Sequence, residues 1–93
     1  MNVKQRQKLK AQAHSLKPVV LIGEKGLTAN VMAEIDLALE YHELIKIKAG
    51  RLPKEEKEVI ANEITQATKS ELVQIIGNII VVYRKNPKKN NKK

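Results

Sequence analysis

The segment from Glu71 to Arg84 admits few structures. Two largely β-branched runs, Glu71-Leu72-Val73-Gln74-Ile75-Ile76 and Ile79-Ile80-Val81-Val82-Tyr83-Arg84, are separated only by Gly77-Asn78. A two-residue link between such runs signals a β-hairpin, and glycine at the first central position selects a type II′ turn, which needs φ > 0 there. With Gly77 and Asn78 as the loop, Val73 is opposite Val82, Ile75 opposite Ile80 and Glu71 opposite Arg84 on a face that should cover the core. Gln74 is then opposite Val81, and Leu72 opposite Tyr83, on the other face. The hairpin commits the chain to a sheet, and the remaining residues have to build on it.

Upstream, helical and extended patterns alternate. Val3 to Leu16 are good helix formers with Leu9, Ala13 and Leu16 at i, i+4 and i+7, a thin stripe that lays the helix on the body with Lys4, Arg6, Lys8 and Lys10 in solvent. Pro18 disfavours helical geometry at Lys17 and stops it. Val19 to Ile22 are apolar throughout, the pattern of a strand covered on both faces. Thr28 is an N-cap for a second helix with Val31, Ile35, Ala38, Leu39 and His42 on one face, His42 packing at the core edge, and with most of the acids turned away. Leu44 to Ala49 alternates, with Ile45, Ile47 and Ala49 inward and Lys46 and Lys48 outward. Pro53 then opens a third helix as its first residue, with Glu55, Glu56 and Glu58 in the early turns and Ile60, Ile64 and Ala67 on its inner face.

The order αβαβαββ, with right-handed crossovers, predicts a compact single-domain α/β fold holding a four-stranded mixed sheet packed with helices. Residues 1–86 form that domain, its basic N-terminal helix spanning 3–16. Residues 87–93 are a basic tail with nothing to bury, expected to be disordered unless bound.

Chemistry concentrates after the first strand, in Gly23-Glu24-Lys25-Gly26. Two glycines at this spacing let a loop turn tightly with its backbone close to a large partner. Its amides and the first N–H groups of the helix capped by Thr28 face outward with partial positive charge, and Lys25 adds a full one. That combination grips phosphate without reading a base; a GxxG also describes an ordinary strand-to-helix turn. Charge placement favours the first reading. Residues 1–17 carry five cations (Lys4, Arg6, Lys8, Lys10, Lys17) and residues 84–93 carry six (Arg84, Lys85, Lys88, Lys89, Lys92, Lys93), neither with an acid. Between them, seven Lys/Arg against ten Asp/Glu leave −3. Two basic ends on a near-neutral body suit a polyanion, nucleic acid before membrane, although such ends also serve solubility alone.

Other function classes lack their residues. Without cysteine there is no disulfide frame or thiolate metal site, and a reducing, cytoplasmic setting is expected. His14 and His42 are too few and too far apart for a metal site, no serine sits on a nucleophile elbow, and GEKG lacks the Lys-Ser/Thr ending of a P-loop. We therefore expect no catalysis, metal, cofactor or membrane attachment, and a monomer. Only Tyr41 and Tyr83 are aromatic, so no stacking platform for bases is present; Tyr83 should pack beside Leu72.

Strand-GxxG-helix, then His42-Glu43-Leu44-Ile45-Lys46-Ile47-Lys48, then Gly77-Asn78-Ile79-Ile80-Val81-Val82-Tyr83-Arg84, in that order and spacing, resemble the CRM domain family (chloroplast RNA splicing and ribosome maturation) in its bacterial stand-alone, YhbY-type form. The resemblance runs from about Leu16 to Lys85. It implies a fold similar to the C-terminal domain of bacterial translation initiation factor three, with the GxxG loop and flanking basic surface on RNA. It also implies a role on precursors of the large ribosomal subunit, so that rRNA and the pre-ribosomal particle are the expected partners. Carried over by position, the loop residues are Gly23, Glu24, Lys25 and Gly26. Glu24 departs in sense, since an acid opposes phosphate; it either points away or pairs with Lys25. Lys4, Arg6, Lys8, Lys10, Lys17 and the tail lysines Lys88, Lys89, Lys92 and Lys93 are expected to add salt-sensitive attraction. The competing reading is a protein-interaction module docking on a ribosomal protein, its basic ends serving solubility.

Overall fold

The computed structural model describes residues 2–86. In chain order the elements are α1 (Val3–His14), β1 (Pro18–Leu21), α2 (Ala29–His42), β2 (Leu44–Lys48), α3 (Lys54–Thr68), β3 (Glu71–Ile76) and β4 (Ile79–Tyr83). The αβαβαββ order and the four-stranded mixed sheet are as expected. Strands lie in the order β1-β2-β4-β3, β1 parallel to β2 and the other pairs antiparallel. The tail residues 87–93 lie outside the described residues.

Helices cover both faces of the sheet. On one face α2 and α3 contribute Ile35, Leu39, Ala61 and Ile64 to a core with Val20, Ile22, Ile45, Ile47, Ile80 and Val82. On the other, α1 seats Leu9 and Ala13 against Leu44, Val73 and Val81. This explains why β4 is an unbroken apolar run: Val81 points to α1 and Val82 to α2 and α3, and both are wholly buried. The strand covered on both faces is thus β4, not β1. β1 is the sheet edge, with Val20 buried while Val19 and Leu21 are 50% and 62% exposed. An apolar run marks burial on both faces only where packed elements cover both faces; α1 sits on Leu44, Val73 and Val81 and leaves the outer side chains of β1 bare, a placement that is not written locally.

The hairpin turns as expected: Gly77 has φ +54, whereas Asn78 is not in the left-handed region, which fits type II′. Its register holds for Ile76–Ile79, Ile75–Ile80 and Gln74–Val81 and then slips. A bulge at Val73 brings Leu72 opposite Val82 and Glu71 opposite Tyr83, so the expected Val73–Val82, Leu72–Tyr83 and Glu71–Arg84 pairs do not form. The bulge lets Val73 reach the α1 core while Leu72 and Ile75 face α2 and α3. Arg6 stabilises it: Nη1 donates to the carbonyls of Leu72 at 2.7 Å and Val73 at 3.2 Å. Arg6 is therefore a half-buried clamp between α1 and β3, not a solvent cation. Tyr83 also departs from expectation, packing on the α1 core and not beside Leu72.

Caps account for the helix ends. Asn2 Oδ1 accepts from Gln5 N at 2.7 Å, and Thr28 Oγ1 accepts from Val31 N at 3.1 Å. α1 stops at His14, two residues short of Leu16, which is exposed. Pro53 is the N-cap of α3 rather than its first residue. The inner face of α3 is rotated from the expected one: Lys57, Ala61, Ile64 and Thr68 are buried and Ala67 is exposed. Lys57 belongs there because its ammonium donates to the Gly77 carbonyl and to Asn78 Oδ1, bracing the hairpin turn. His42 is exposed, not packed at the core edge, since α2 ends there and Glu43, with φ +65, redirects the chain into β2.

Candidate nucleic-acid interface

Because β1 and β2 are parallel, both of their following loops emerge at one end of the sheet, the carboxyl end where open α/β folds receive ligands. After β1, Gly23 to Gly26 close a tight turn in which Gly26 N donates to the Gly23 carbonyl at 3.0 Å. Thr28 N then returns to the Gly26 carbonyl at 3.1 Å, and Thr28 caps α2. The amides of Glu24, Lys25, Ala29 and Asn30 donate to no protein acceptor among the described residues. A helix start always leaves N–H groups over; here they follow within a few residues of those of the turn.

The two glycines differ in kind. Gly26 has φ +76, which its backbone path demands. Gly23 is not in the left-handed region, and a Cβ built on it would meet nothing within 4 Å. Nothing inside the fold asks for glycine at 23.

The neighbouring loop, Ala49 to Leu52, turns through Gly50 at φ +78. Both loops enclose an open cleft of ≈ 590 Å³ with Ile22, Leu52 and Ile60 at its base and Lys25, Arg51, Glu24 and Glu56 around it. Arg51 therefore belongs with Lys25, a partnership the sequence reading missed. Its signal was a glycine-arginine pair directly after a strand parallel to β1. Glu24 is exposed and makes no ion pair with Lys25 among the described residues.

The other expected site residues are not gathered here. Lys4, Lys8 and Lys10 are exposed on α1, across the sheet from α2 and α3. Lys17 is exposed beside Leu16, Val19 and His42, at the far end of α2. Lys88, Lys89, Lys92 and Lys93 lie outside the described residues; the chain leads to them from Asn86, whose Nδ2 donates to the Glu40 carbonyl at 2.7 Å and whose N–H donates to Glu43 Oε2 at 2.8 Å. That departure point is the C-terminal end of a 14-residue helix, about 20 Å from the loop at 1.5 Å per residue. Arg84 is held at the same end, with Nη1 2.7 Å from Asp36 Oδ1 and 2.8 Å from the Thr68 carbonyl.

Among the described residues no cluster of three His, Asp or Glu side chains could hold a metal ion, and no helix is long and apolar enough to cross a membrane.

The family model described as the CRS1 / YhbY (CRM) domain matches residues 1–84. A Haemophilus influenzae protein named "RNA-binding protein" is 50% identical over 84 residues, spanning 90% of this chain and 85% of its own length. The Pseudomonas aeruginosa "Probable RNA-binding protein PA4753" is 43% identical over 86 residues, 92% of this chain and 83% of that one. The solution structure of SAV1595 from Staphylococcus aureus has the same fold, with a TM-score of 0.86 and 38% identity over 99% of this chain and 94% of that one.

Proposed function

The chain belongs to the CRS1 / YhbY (CRM) domain family, and on that footing we propose that it is a non-catalytic RNA-binding protein that grips backbone phosphates at the GEKG loop. The relatives' names support RNA as the ligand. The observation that carries the loop is Gly23: neither its backbone angle nor its surroundings require glycine, and the amides of the two residues that follow it are unengaged among the described residues. A side chain there would obstruct only something arriving from outside. Phosphate fits, since it accepts several N–H bonds at once and is attracted by Lys25 and Arg51. The ligand we assign is rRNA of large-subunit precursors, where the protein acts as an assembly factor in the cytoplasm. The lysines of α1 and of the tail add salt-sensitive attraction for the same polyanion away from the loop.

Binding of structured large-subunit rRNA fragments across a salt series tests this. About five phosphate contacts give a slope of log K against log salt of roughly −3 to −4. Gly23→Asp, which the fold tolerates, should weaken binding by about tenfold or more while leaving the unfolding curve in place. Unchanged affinity in that variant reduces GEKG to a turn, and a flat salt response removes the phosphate mechanism.

A further inference from the structure

The sheet face that carries α1 is only partly covered. Its last row before the loops crosses all four strands: Leu21 is in register with Lys48, Lys48 with Ile79, and Ile79 with Ile76. α1 seats itself further down, on Leu44, Val73 and Val81. The row therefore stays open at Leu21, 62% exposed, at Lys48 and at Ile76, 56% exposed, while Ile79 is half-buried against the α1 cluster. Three inter-strand spacings of ~4.8 Å make it about 14 Å wide. Beside it, between α1 and the sheet, is a groove of ≈ 280 Å³ floored by Ile76 and Ile79 and flanked by Lys10 and Lys46.

The charges on this face are sorted. Lys48 stands in the row itself, and Lys10 and Lys46 flank the groove beside it, Lys46 with its ammonium 3.5 Å from the His14 carbonyl, whereas Glu71, opposite Tyr83, and Glu43, just before β2, are at the other end of the face. Aliphatic surface between ammonium groups suits an unpaired nucleotide, whose base face leaves water against Leu or Ile while its phosphate meets lysine. A duplex keeps its base faces within its own stack and gains nothing from the aliphatic row. Leu21 comes two residues before Gly23, so a strand held at the loop reaches the row directly.

We infer that the ligand of this domain is single-stranded RNA, with the nucleotides next to those gripped at the loop lying across Leu21, Lys48, Ile79 and Ile76, beside Lys10 and Lys46. This rests on the RNA-binding reading of the loop and adds which form of RNA is taken and where it runs. The test is an amide chemical-shift titration of the intact chain with a single-stranded RNA and with a blunt RNA duplex of equal phosphate number. Both should move Glu24 and Lys25, and only the single strand should move Lys48, Ile76 and Ile79. A Lys46→Gln/Lys48→Gln variant, which takes two ammonium groups away from phosphate, should bind the single strand about tenfold more weakly and the duplex less than about twofold more weakly. If loop amides move with both RNAs while the row stays still, or if the variant weakens both equally, the inference is overturned and the loop clamp stands. Loop amides that move with neither RNA overturn the proposed function with it. Row amides that shift on concentrating the protein alone make the row a contact between copies and also overturn the inference.

Discussion

The two ends of α2 treat their polar groups in opposite ways. Any helix leaves N–H groups over at its start and carbonyls at its finish. At the finish of α2 the chain answers them itself. Glu43 N donates to the Leu39 carbonyl at 2.9 Å and Asn86 Nδ2 to the Glu40 carbonyl at 2.7 Å, while just past the helix Arg84 N donates to the Glu43 carbonyl at 2.8 Å. At its start the amides of Ala29 and Asn30 continue the unengaged amides of Glu24 and Lys25. Counting cations does not reveal this difference. Arg6 and Arg84 are committed to carbonyls and carboxylates within the fold, whereas Lys25 and Arg51 stand at the rim of an open cleft.

Substitutions can break or sharpen the contrast. The largest effect is expected at the finish: Arg84→Met leaves the Thr68 carbonyl and Asp36 without their donor and should lower the unfolding free energy by about 1–2 kcal/mol in urea titrations. The folded fraction should bind RNA within about twofold of the parent. A tenfold loss would mean that the finish also touches the ligand. At the start, Gly26→Ala should cost about 1 kcal/mol because of its positive φ, and Gly23→Ala less than about 0.5 kcal/mol. Equal costs would explain both glycines by folding and dissolve the contrast.

The smallest effect concerns Tyr83, whose hydroxyl is pushed up from its ordinary range by burial first and by Glu43 and Glu71 after that. The folded state thus holds the phenolic proton more tightly than the unfolded state. Its contribution is complete below the unfolded pKa of about 10 and is lost as pH rises through the folded value. Tyr83→Phe should therefore flatten the fall in stability above about pH 10. Identical slopes in parent and variant would remove Tyr83 as a cause of that fall.

Legibility in the sequence followed locality. The Gly77-Asn78 turn, the Thr28 cap and the alternation of β2 are decided within a few residues, and all three form as expected. The coverage of β1 depends on where α1 settles on the sheet, and the bulge at Val73 depends on a guanidinium 67 positions away. Neither relation leaves a local trace. The GEKG loop could be read because its glycines, lysine and cap are contiguous. Arg51 joins Lys25 only through the parallel pairing of β1 with β2, so its glycine-arginine signal takes on meaning only once the sheet is assembled.

The strand order also has a consequence in time. β4 stands between β2 and β3, holds one hydrogen-bonded edge of each and carries side chains into both cores, yet it is the last element of the described chain. A ribosome making this protein therefore delivers the keystone after everything it joins. β1 and β2 wait as an unsupported parallel pair, and Arg6 waits for carbonyls 66 and 67 residues downstream. Folding in the order of synthesis has no productive halfway point here, so the nascent chain should resist compaction until Tyr83 has cleared the exit tunnel and then close in a single step.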